Sequence, residues 1–273
     1  MSHFSFQAEI NRPQINISRA MLCLAREIAY PELDIQRYLD LLAELSQAAS
    51  RSIPAHLSTI ERAEALSDFL FIRQRFQGNS AHYHDPRNSY LNEVLERRLG
   101  IPISLSAVYI AVAKRIGLPA RGIGLPGHFI VGIAGERGEI YIDPFHGGAR
   151  LLESDCVQLV REATGFSGPF QAAWLKPILP RAMLTRMLYN LRNVYLYQSD
   201  WRLALGVVQH LLLLQPEMPE LQRDLGLIYQ RMGSMRLAVQ HYLVYLQQAP
   251  HAPDAEATKA SVQHITRILA RLN

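Results

Sequence analysis

Cysteine is nearly absent from this 273-residue chain, which contains only Cys23 and Cys156. Two thiols are too few for a disulfide framework or a cysteine-rich zinc site, so both kinds of stabilised small domain are excluded. The first residues lack the basic-then-apolar layout of a signal peptide. The longest apolar run, about residues 107–113, is far shorter than the ~20 residues of a membrane-spanning helix. We therefore expect a cytoplasmic protein with no membrane partner.

Lysine and runs of positive charge are scarce as well. Only three of the 28 basic residues are lysines, and no basic run occurs, so no nucleic-acid partner is predicted. Arginine forks suit carboxylate or phosphate partners, although an arginine bias also arises from genome composition. The whole net charge of +4 lies in residues 178–273, which hold ten basic and six acidic side chains. This segment is therefore expected to favour an acidic partner.

The first hundred residues are predicted to be helical. A hydrophobic content of 49% allows a buried core, and apolar residues recur with helical spacing. Polar residues suited to helix N-termini precede these stripes, and one of them opens a capping box. The expected helices cover residues 17–30, then run from Asp34, from Ser58 to about Gly78, and from Asn88 or Ser89 to Gly100.

Beyond residue 100 the pattern changes to short apolar segments broken by glycine and proline, which are typical of an antiparallel sheet. The expected elements are a helix over Ser104–Ile116, strands at 121–125, 129–133 and 139–142, a helix at 153–163 and a linker over 165–180. The middle of the chain is therefore predicted to be a small sheet beside helices.

The final third repeats with a period of 34 residues. Leu225–Tyr229, followed by Ala238 and Pro250, matches the tetratricopeptide pattern, in which a small alanine lets paired helices approach. Asp254–Leu272 then caps a stack of two repeats. A plain helical bundle is the alternative.

Two residues suited to proton transfer lie 15 positions apart, His128 after the Pro126-Gly127 turn and Asp143 before Pro144. On an antiparallel hairpin they can lie side by side. An aspartate so placed orients a histidine base, and the base activates a nucleophile. In the alternative interpretation His128 satisfies a backbone carbonyl and Asp143 forms a turn by bonding its own backbone.

The order helix, histidine strand, aspartate strand, with Gly117-Leu118-Pro119-Ala120-Arg121 between them, resembles the core of the transglutaminase-like superfamily. Residues 88–102, 126–129 and 143–148 resemble the bacterial SirB family, in which a transglutaminase-like domain precedes tetratricopeptide repeats. The resemblance covers residues 15–270. It implies an α+β fold, with a helical N-terminal lobe and a papain-related antiparallel sheet in residues 1–177 and an all-α repeat segment in residues 178–273.

Members of that superfamily carry a Cys, His, Asp triad, and the resemblance places Pro102 at the cysteine position. Proline offers no nucleophile. The nearest hydroxyls belong to Ser104 and Ser106. Ser104 is a candidate nucleophile, but it is also the natural N-cap of its helix. Both cysteines lie outside the core helix, where they are expected to be packed thiols.

Other residues are predicted to line a cleft beside this pair. Asn88 and Asn92 belong to the family signature that the resemblance implies, although they also suit a helix cap and a solvated helix face. The predicted lining residues are Asn88, Asn92, Arg98, Phe129, Phe145 and His146.

The sequence also contains side chains of the types that zinc accepts as ligands. Three distant segments would have to converge to bring them together, and histidines in a loop are usually solvated, so no metal site is predicted. The residues concerned are His82, His84, Asp85, His128, Asp143 and His146.

A phosphate-binding loop is not present either. The glycine pair in Phe145-His146-Gly147-Gly148 lacks the lysine and hydroxyl residue that follow in a P-loop. The sequence therefore predicts no cofactor and no bound metal.

Two functions remain open. The first is a protein-interaction or regulatory protein, with partner binding by the repeats and a transglutaminase-like domain that lacks the usual thiol. The second is a hydrolase or acyl transferase on protein or peptide amide bonds. In the second, Ser104 is the nucleophile, His128 the base and Asp143 the residue that orients it. The oligomeric state is left open.

Overall fold

The computed structural model describes residues 4–136 and 138–272, and these residues have the predicted α+β fold. The chain forms two compact units, Met1–Met187 and Leu188–Asn273. The division falls inside a helix, α8 (Pro180–Gln198), whereas the sequence placed its boundary at residues 177 and 178. No helix among the described residues combines the length and apolar character that crossing a membrane requires.

The N-terminal lobe is helical, as predicted. Its helices are α1 (Phe6–Ile10), α2 (Ile17–Ile28), α3 (Ile35–Ser52) and α4 (Thr59–Ser67). Asp34 caps α3, and Ser58 forms the expected capping box with Glu61 at the start of α4. The helix expected to continue to Gly78 instead becomes a π-helical turn that ends at Arg73. The predicted end was therefore wrong by several residues.

A two-stranded parallel sheet follows, which the sequence did not predict. It consists of β1 (Gln77–Gly78) and β2 (Leu99–Gly100), on either side of α5 (Leu91–Arg97). Gly100 was expected to end α5, but Arg98 takes the left-handed position there, with φ of 60°. Gly100 instead pairs with Gly78. A Cβ at Gly78 would lie 2.4 Å from the main-chain oxygen of Phe145, so this strand approaches the turn after β5 very closely.

Helix α6 (Pro102–Arg115) is central to the first unit and packs against α3 and the sheet. Pro102 is its first residue, and Ile101 occupies the N-cap position without a capping side-chain hydrogen bond, so Ser104 is not the N-cap that the sequence predicted. Proline is favoured at the first helical position because its φ suits a helix and an N–H there would have no intrahelical partner. Most of α6 is buried.

The main sheet is a four-stranded antiparallel meander beside α6. Its strands, in spatial and chain order, are β3 (Ala120–Ile123), β4 (Ile130–Gly135), β5 (Gly138–Asp143) and β6 (Ala149–Leu151). The three predicted strands are present with slightly shifted ends, and β6 is an addition. The predicted turn between β4 and β5 contains Arg137, which lies outside the described residues. Helix α7 (Glu153–Thr164) matches its prediction and packs Cys156 and Val160 against the sheet.

The second unit is all-α, as the repeat predicted. After the end of α8 it contains α9 (Trp201–Leu214), α10 (Pro219–Arg231), α11 (Met235–Gln248) and α12 (Ala255–Leu272). Ala204 and Ala238, one repeat apart, are both fully buried. Gly226 of α10 lies directly against the ring of Tyr242 in α11. Small residues thus allow the close helix approach that the tetratricopeptide pattern implied.

Candidate functional site

His128 is held at the end of the loop that leads into β4. The preceding Gly127 has φ of 71°, and a Cβ there would lie 2.6 Å from Cβ of Ala163 in α7, so this turn requires glycine. On the other side, Arg186 Nη2 donates to the main-chain oxygens of Leu125 and His128, each at 2.6 Å. The backbone around His128 is therefore fixed from two directions, and its side chain is only 8% exposed.

Asp143 ends β5 and meets His128 as the hairpin spacing predicted. The register pairs Val131 with Ile142, so the end of β5 lies beside the start of β4. Asp143 Oδ2 lies 2.9 Å from His128 Nε2, and the carboxylate is fully buried. The structure thus brings these two predicted site residues into direct contact.

The same carboxylate also forms the turn of the alternative interpretation. Asp143 Oδ1 accepts hydrogen bonds from the main-chain N–H groups of Phe145 at 3.0 Å and His146 at 3.3 Å. In addition, His146 Nδ1 lies 2.7 Å from Asp143 Oδ2. Asp143 is therefore both a turn-forming residue and the partner of two imidazoles. His146 was predicted to line the cleft and was considered as a metal ligand, but its bond to Asp143 was missed although the two lie three residues apart in a tight turn.

The charge state of this cluster follows from its hydrogen bonds. Burial alone acts to raise the pKa of the Asp143 carboxyl, but the hydrogen bonds and charges of His128 and His146 outweigh it, so the pKa lies below its usual range. An ionised carboxylate can only accept hydrogen bonds. Each imidazole nitrogen that faces it must then carry a proton, which leaves Nδ1 of a neutral His128 as an acceptor.

Ser104 is not brought to this pair by any hydrogen bond of the described residues. Its hydroxyl donates to the main-chain oxygen of Asn88 at 2.6 Å and accepts from the main-chain N–H of Ile101 at 3.0 Å. The side chain is fully buried. It ties the start of α6 to the segment before α5, from the third position of the helix. The contact with His128 that catalysis by Ser104 needs is therefore not formed.

The remaining side chains considered as nucleophiles are also buried. Ser106 is fully buried, and its Oγ has no hydrogen-bond partner among the described residues. Cys23 and Cys156 are free and fully buried. Burial, with smaller contributions from nearby carboxylates, raises the pKa of each thiol to about 12. Neither thiol has the exposed, electropositive surroundings of a reactive cysteine.

Two of the residues predicted to line the cleft, Phe145 and His146, contact the ring of His128. The His146 ring stacks on His128 with centroids 5.6 Å apart, and the Phe145 ring meets His128 edge-on at 6.2 Å. Tyr83, which the sequence did not single out, packs edge-on against Phe145 at 5.9 Å. Phe129 lies beneath the guanidinium of Arg186, 5.5 Å away. Phe145 and His146 therefore pack against the ring of His128, while the side chain of His146 stays 56% exposed.

The polar residues that were predicted to line the cleft are buried or contact residues other than His128 and Asp143. Asn88 is fully buried and bonds Asn79 and the main chain of His82. Arg98 lies over the ring of Phe76 at 4.5 Å. Asn92 is 3% exposed. None of the hydrogen bonds described for these residues involves His128 or Asp143.

The described residues contain one cluster whose geometry suits a metal ion. One ligand atom each from His128, Asp143 and His146 lies within 4.8 Å of the others. Asp85, considered with them from the sequence, pairs instead with Arg87 at 2.8 Å. Three of the candidate ligands named from sequence therefore converge, and Asp85 is engaged elsewhere.

Comparison with known proteins agrees with this architecture. A family model described as the transglutaminase-like superfamily matches residues 36–189, and one described as a tetratricopeptide repeat matches residues 191–263. The chain is 35% identical to a UPF0162 protein of Xylella fastidiosa strain Temecula1, over 92% of this chain and 90% of that protein. It is 29% identical to a UPF0162 protein of Vibrio cholerae, over 86% and 87% of the two chains. Human F-box only protein 21 is 30% identical over 59% of this chain and 29% of its own length.

Proposed function

Because the chain belongs to the transglutaminase-like superfamily, with tetratricopeptide repeats after that domain, we propose that it is a protein-interaction or regulatory protein without the usual thiol chemistry. In this proposal the transglutaminase-like domain (residues 1–177) keeps the His128–Asp143 pair and has Pro102 where a nucleophilic cysteine would stand. The repeat segment (residues 178–273) binds the partner. The proposal includes membership of the SirB family, and a reducing, cytoplasmic location is supported by the two free cysteines.

One observation carries this proposal, the position of the Ser104 hydroxyl. A serine is a weak nucleophile that needs an adjacent base to remove its proton. Here the acceptors within reach of the hydroxyl are the main-chain oxygens of Asn88 at 2.6 Å and Ile101 at 3.1 Å, and the side chain is fully buried. Among the described hydrogen bonds, the pair His128–Asp143 is therefore left without a hydroxyl or thiol to activate. This supports an inactive or weakly active domain.

The partner we propose is an acidic protein segment. Arg202 and Arg236 occupy the same position in successive repeats, both are exposed, and neither forms an ion pair among the described residues. By contrast, Arg192 forms an ion pair with Asp224, and Arg223 forms one with Asp254. Guanidinium groups that lack an internal carboxylate are available for a carboxylate supplied by the partner.

The test uses the full chain and a fluorescent polyglutamate peptide, with binding followed by fluorescence anisotropy at low ionic strength. We expect saturable binding that the double variant Arg202→Glu, Arg236→Glu weakens at least tenfold. The double variant Arg73→Glu, Arg115→Glu carries the same change in net charge on exposed residues of the other unit. Equal losses in both variants, or equal binding of a polylysine peptide, would show that no acidic-segment site lies on the repeats.

The alternative function, a hydrolase or acyl transferase built on Ser104, His128 and Asp143, is supported by the intact His128–Asp143 bond. It makes an opposite prediction in assays of amine incorporation and amide hydrolysis on casein. Our proposal expects background rates for the wild type and for Ser104→Ala alike. A measurable rate that Ser104→Ala abolishes, with the fold unchanged by circular dichroism, would favour the enzyme.

A further inference from the structure

The cluster of His128, Asp143 and His146 points to a second role for this site. We propose that these three side chains bind a divalent transition-metal ion, with zinc as the ion that fits them best. The nitrogens that face Asp143 Oδ2 are His128 Nε2 and His146 Nδ1, and one ligand atom from each of the three residues lies within 4.8 Å of the others. Two imidazoles and one carboxylate, with a further position open, form the ligand set of many zinc sites that keep a bound water.

The distances already approach those of a metal centre. With bonds of about 2.0–2.2 Å, tetrahedral ligand atoms lie about 3.3–3.6 Å apart. Both nitrogens now lie closer than this to Asp143 Oδ2, His128 at 2.9 Å and His146 at 2.7 Å. An outward shift of about half an ångström would admit the ion. The side chain of His146 is 56% exposed, so it has room to make that movement and to leave one position open to water.

The surrounding hydrogen bonds hold the ligands as a metal site requires. Asp143 Oδ1 is held by the main-chain N–H groups of Phe145 and His146, so the other oxygen, Oδ2, faces the histidines. The main chain of His128 is held by Arg186. Partners of this kind orient metal ligands and strengthen binding. The cluster therefore has fixed ligands on its buried side and one movable ligand, His146, on its exposed side.

Proton balance is simple for this exchange. In the structure without the ion, each histidine donates a ring N–H to Asp143. On binding, a neutral His128 moves its proton from Nε2 to Nδ1, and a neutral His146 moves its proton from Nδ1 to Nε2. A protonated histidine would release one proton to solvent. The carboxylate stays ionised throughout and cancels one of the two charges of the ion.

The chemistry of the donors also selects the ion. Imidazole nitrogen suits zinc and its neighbours, whereas magnesium and calcium take oxygen ligands. The inference does not rest on the proposed function, because an ion can bind here whether or not the repeats bind an acidic partner. The two proposals are tested by different ligands and different variants.

The test titrates zinc chloride into the full chain, after treatment with a chelator and its removal, by isothermal calorimetry. We expect one high-affinity ion per chain and no binding of magnesium. His146→Ala should lose at least about tenfold in affinity. The control His82→Ala removes an exposed loop histidine and should bind as the wild type does. Cobalt should show the intense visible absorption of a tetrahedral site in the wild type and in His82→Ala only.

Asp143→Asn removes the charged ligand and should also lose zinc affinity, but Asp143 is buried and its variant can fail to fold. His146→Ala decides the matter in that case, because His146 is exposed and circular dichroism can verify its fold. No zinc binding by the wild type would overturn the proposal. So would equal zinc affinity in the wild type and His146→Ala, since the ion would then lie elsewhere.

Discussion

Arg186 donates a hydrogen bond of 2.6 Å to the main-chain oxygen of His128. The same nitrogen, Nη2, reaches the main-chain oxygen of Leu125 at 2.6 Å, so one guanidinium closes the turn on which His128 is carried. Burial lowers the pKa of Arg186, but a guanidinium in a protein remains protonated. A cation from α8 thus fixes the backbone of a residue 58 positions earlier in the chain.

Replacement of this cation should therefore destabilise the first unit. Arg186→Met keeps much of the apolar stem but leaves two carbonyls without their charged donor, and we expect the free energy of unfolding to fall by about 2 kcal/mol. Urea unfolding followed by circular dichroism measures this. Arg202→Met, at an exposed arginine, should change stability by less than about 0.5 kcal/mol. Similar losses in both variants would contradict the role given to Arg186.

Two neighbouring glycines in the turn after Asp143 should respond differently to alanine. Both have positive φ, 71° at Gly147 and 74° at Gly148. A Cβ at Gly147 meets nothing within 4 Å, whereas one at Gly148 would lie 2.5 Å from Phe71 and 2.6 Å from Ser67. Gly147→Ala should cost about 1 kcal/mol, from the left-handed conformation alone.

Gly148→Ala should cost at least about 1 kcal/mol more than that, because a steric overlap adds to the same backbone strain. Unfolding free energies of the two variants, measured side by side in urea, provide the comparison. A larger loss of unfolding free energy in Gly147→Ala than in Gly148→Ala would contradict this explanation. The approach of Phe71 and Ser67 would then not be the reason for a glycine at position 148.

The fold was predictable wherever local sequence carried the information. The capping box at Ser58 and the 34-residue repeat depend on neighbouring residues, and both predictions were confirmed. The pairing of β1 with β2 was missed because strands of two residues, 22 positions apart, leave no periodic signal. The π-helical turn after α4 has no signature in the apolar spacing either.

The candidate site also has one part that local sequence predicts and another that it does not. A hairpin with alternating strands brings His128 to Asp143, so spacing and turn signals were sufficient to predict their contact. The position of Ser104 depended on where α6 begins, and proline at the first helical position moved that start by two residues. The support from Arg186 comes from a distant helix, and only the folded chain reveals it.

The contact between Gly226 and Tyr242 makes a counter-intuitive prediction for the repeats. Alanine is a better helix former than glycine by about 1 kcal/mol. A Cβ at Gly226 would, however, lie 2.4 Å from Cδ1 of Tyr242, and such overpacking costs about 1–3 kcal/mol. Gly226→Ala should therefore destabilise the second unit.

A double-mutant cycle isolates this cause. Thermal unfolding compares the wild type with Gly226→Ala, and Tyr242→Ala with the double variant. In the Tyr242→Ala background the overlap is gone, so Gly226→Ala should there be neutral or stabilising. The same loss in both backgrounds would mean that Tyr242 is not the residue that excludes a methyl group at Gly226.

The two cysteines should not react with thiol reagents in the native protein. Burial raises the pKa of Cys23 and of Cys156 from 9.0 to about 12, and the thiolate is the reactive form. Ellman's reagent at pH 8 should therefore label neither thiol in buffer and both in urea.

The same pKa shifts predict a pH dependence of stability. Because unfolded thiols ionise near pH 9 while the native ones stay protonated, the free energy of unfolding should fall as pH rises above about 9. The double variant Cys23→Ala, Cys156→Ala should show a smaller fall than the wild type in unfolding free energies measured at about pH 7 and pH 10.

Because the native cysteines are expected not to react, a cysteine introduced at position 102 can be followed by itself. It tests the proposal that Pro102 stands at the nucleophile position of the superfamily. Pro102 is the first residue of α6 and is buried. Burial acts to raise the pKa of a thiol at this position, whereas the dipole of the helix stabilises a thiolate at its N-terminus. If this position faces His128, the thiol introduced by Pro102→Cys should have a pKa below 9.0, the ordinary value from which burial raises both native thiols. The rate at which a small methanethiosulfonate forms a mixed disulfide with this thiol and releases methanesulfinate, followed against pH with a chelator present, measures the pKa. Adding His128→Ala should raise that pKa, while His82→Ala should leave it unchanged. A thiol whose pKa ignores His128 would show that Pro102 does not occupy the nucleophile position of the superfamily.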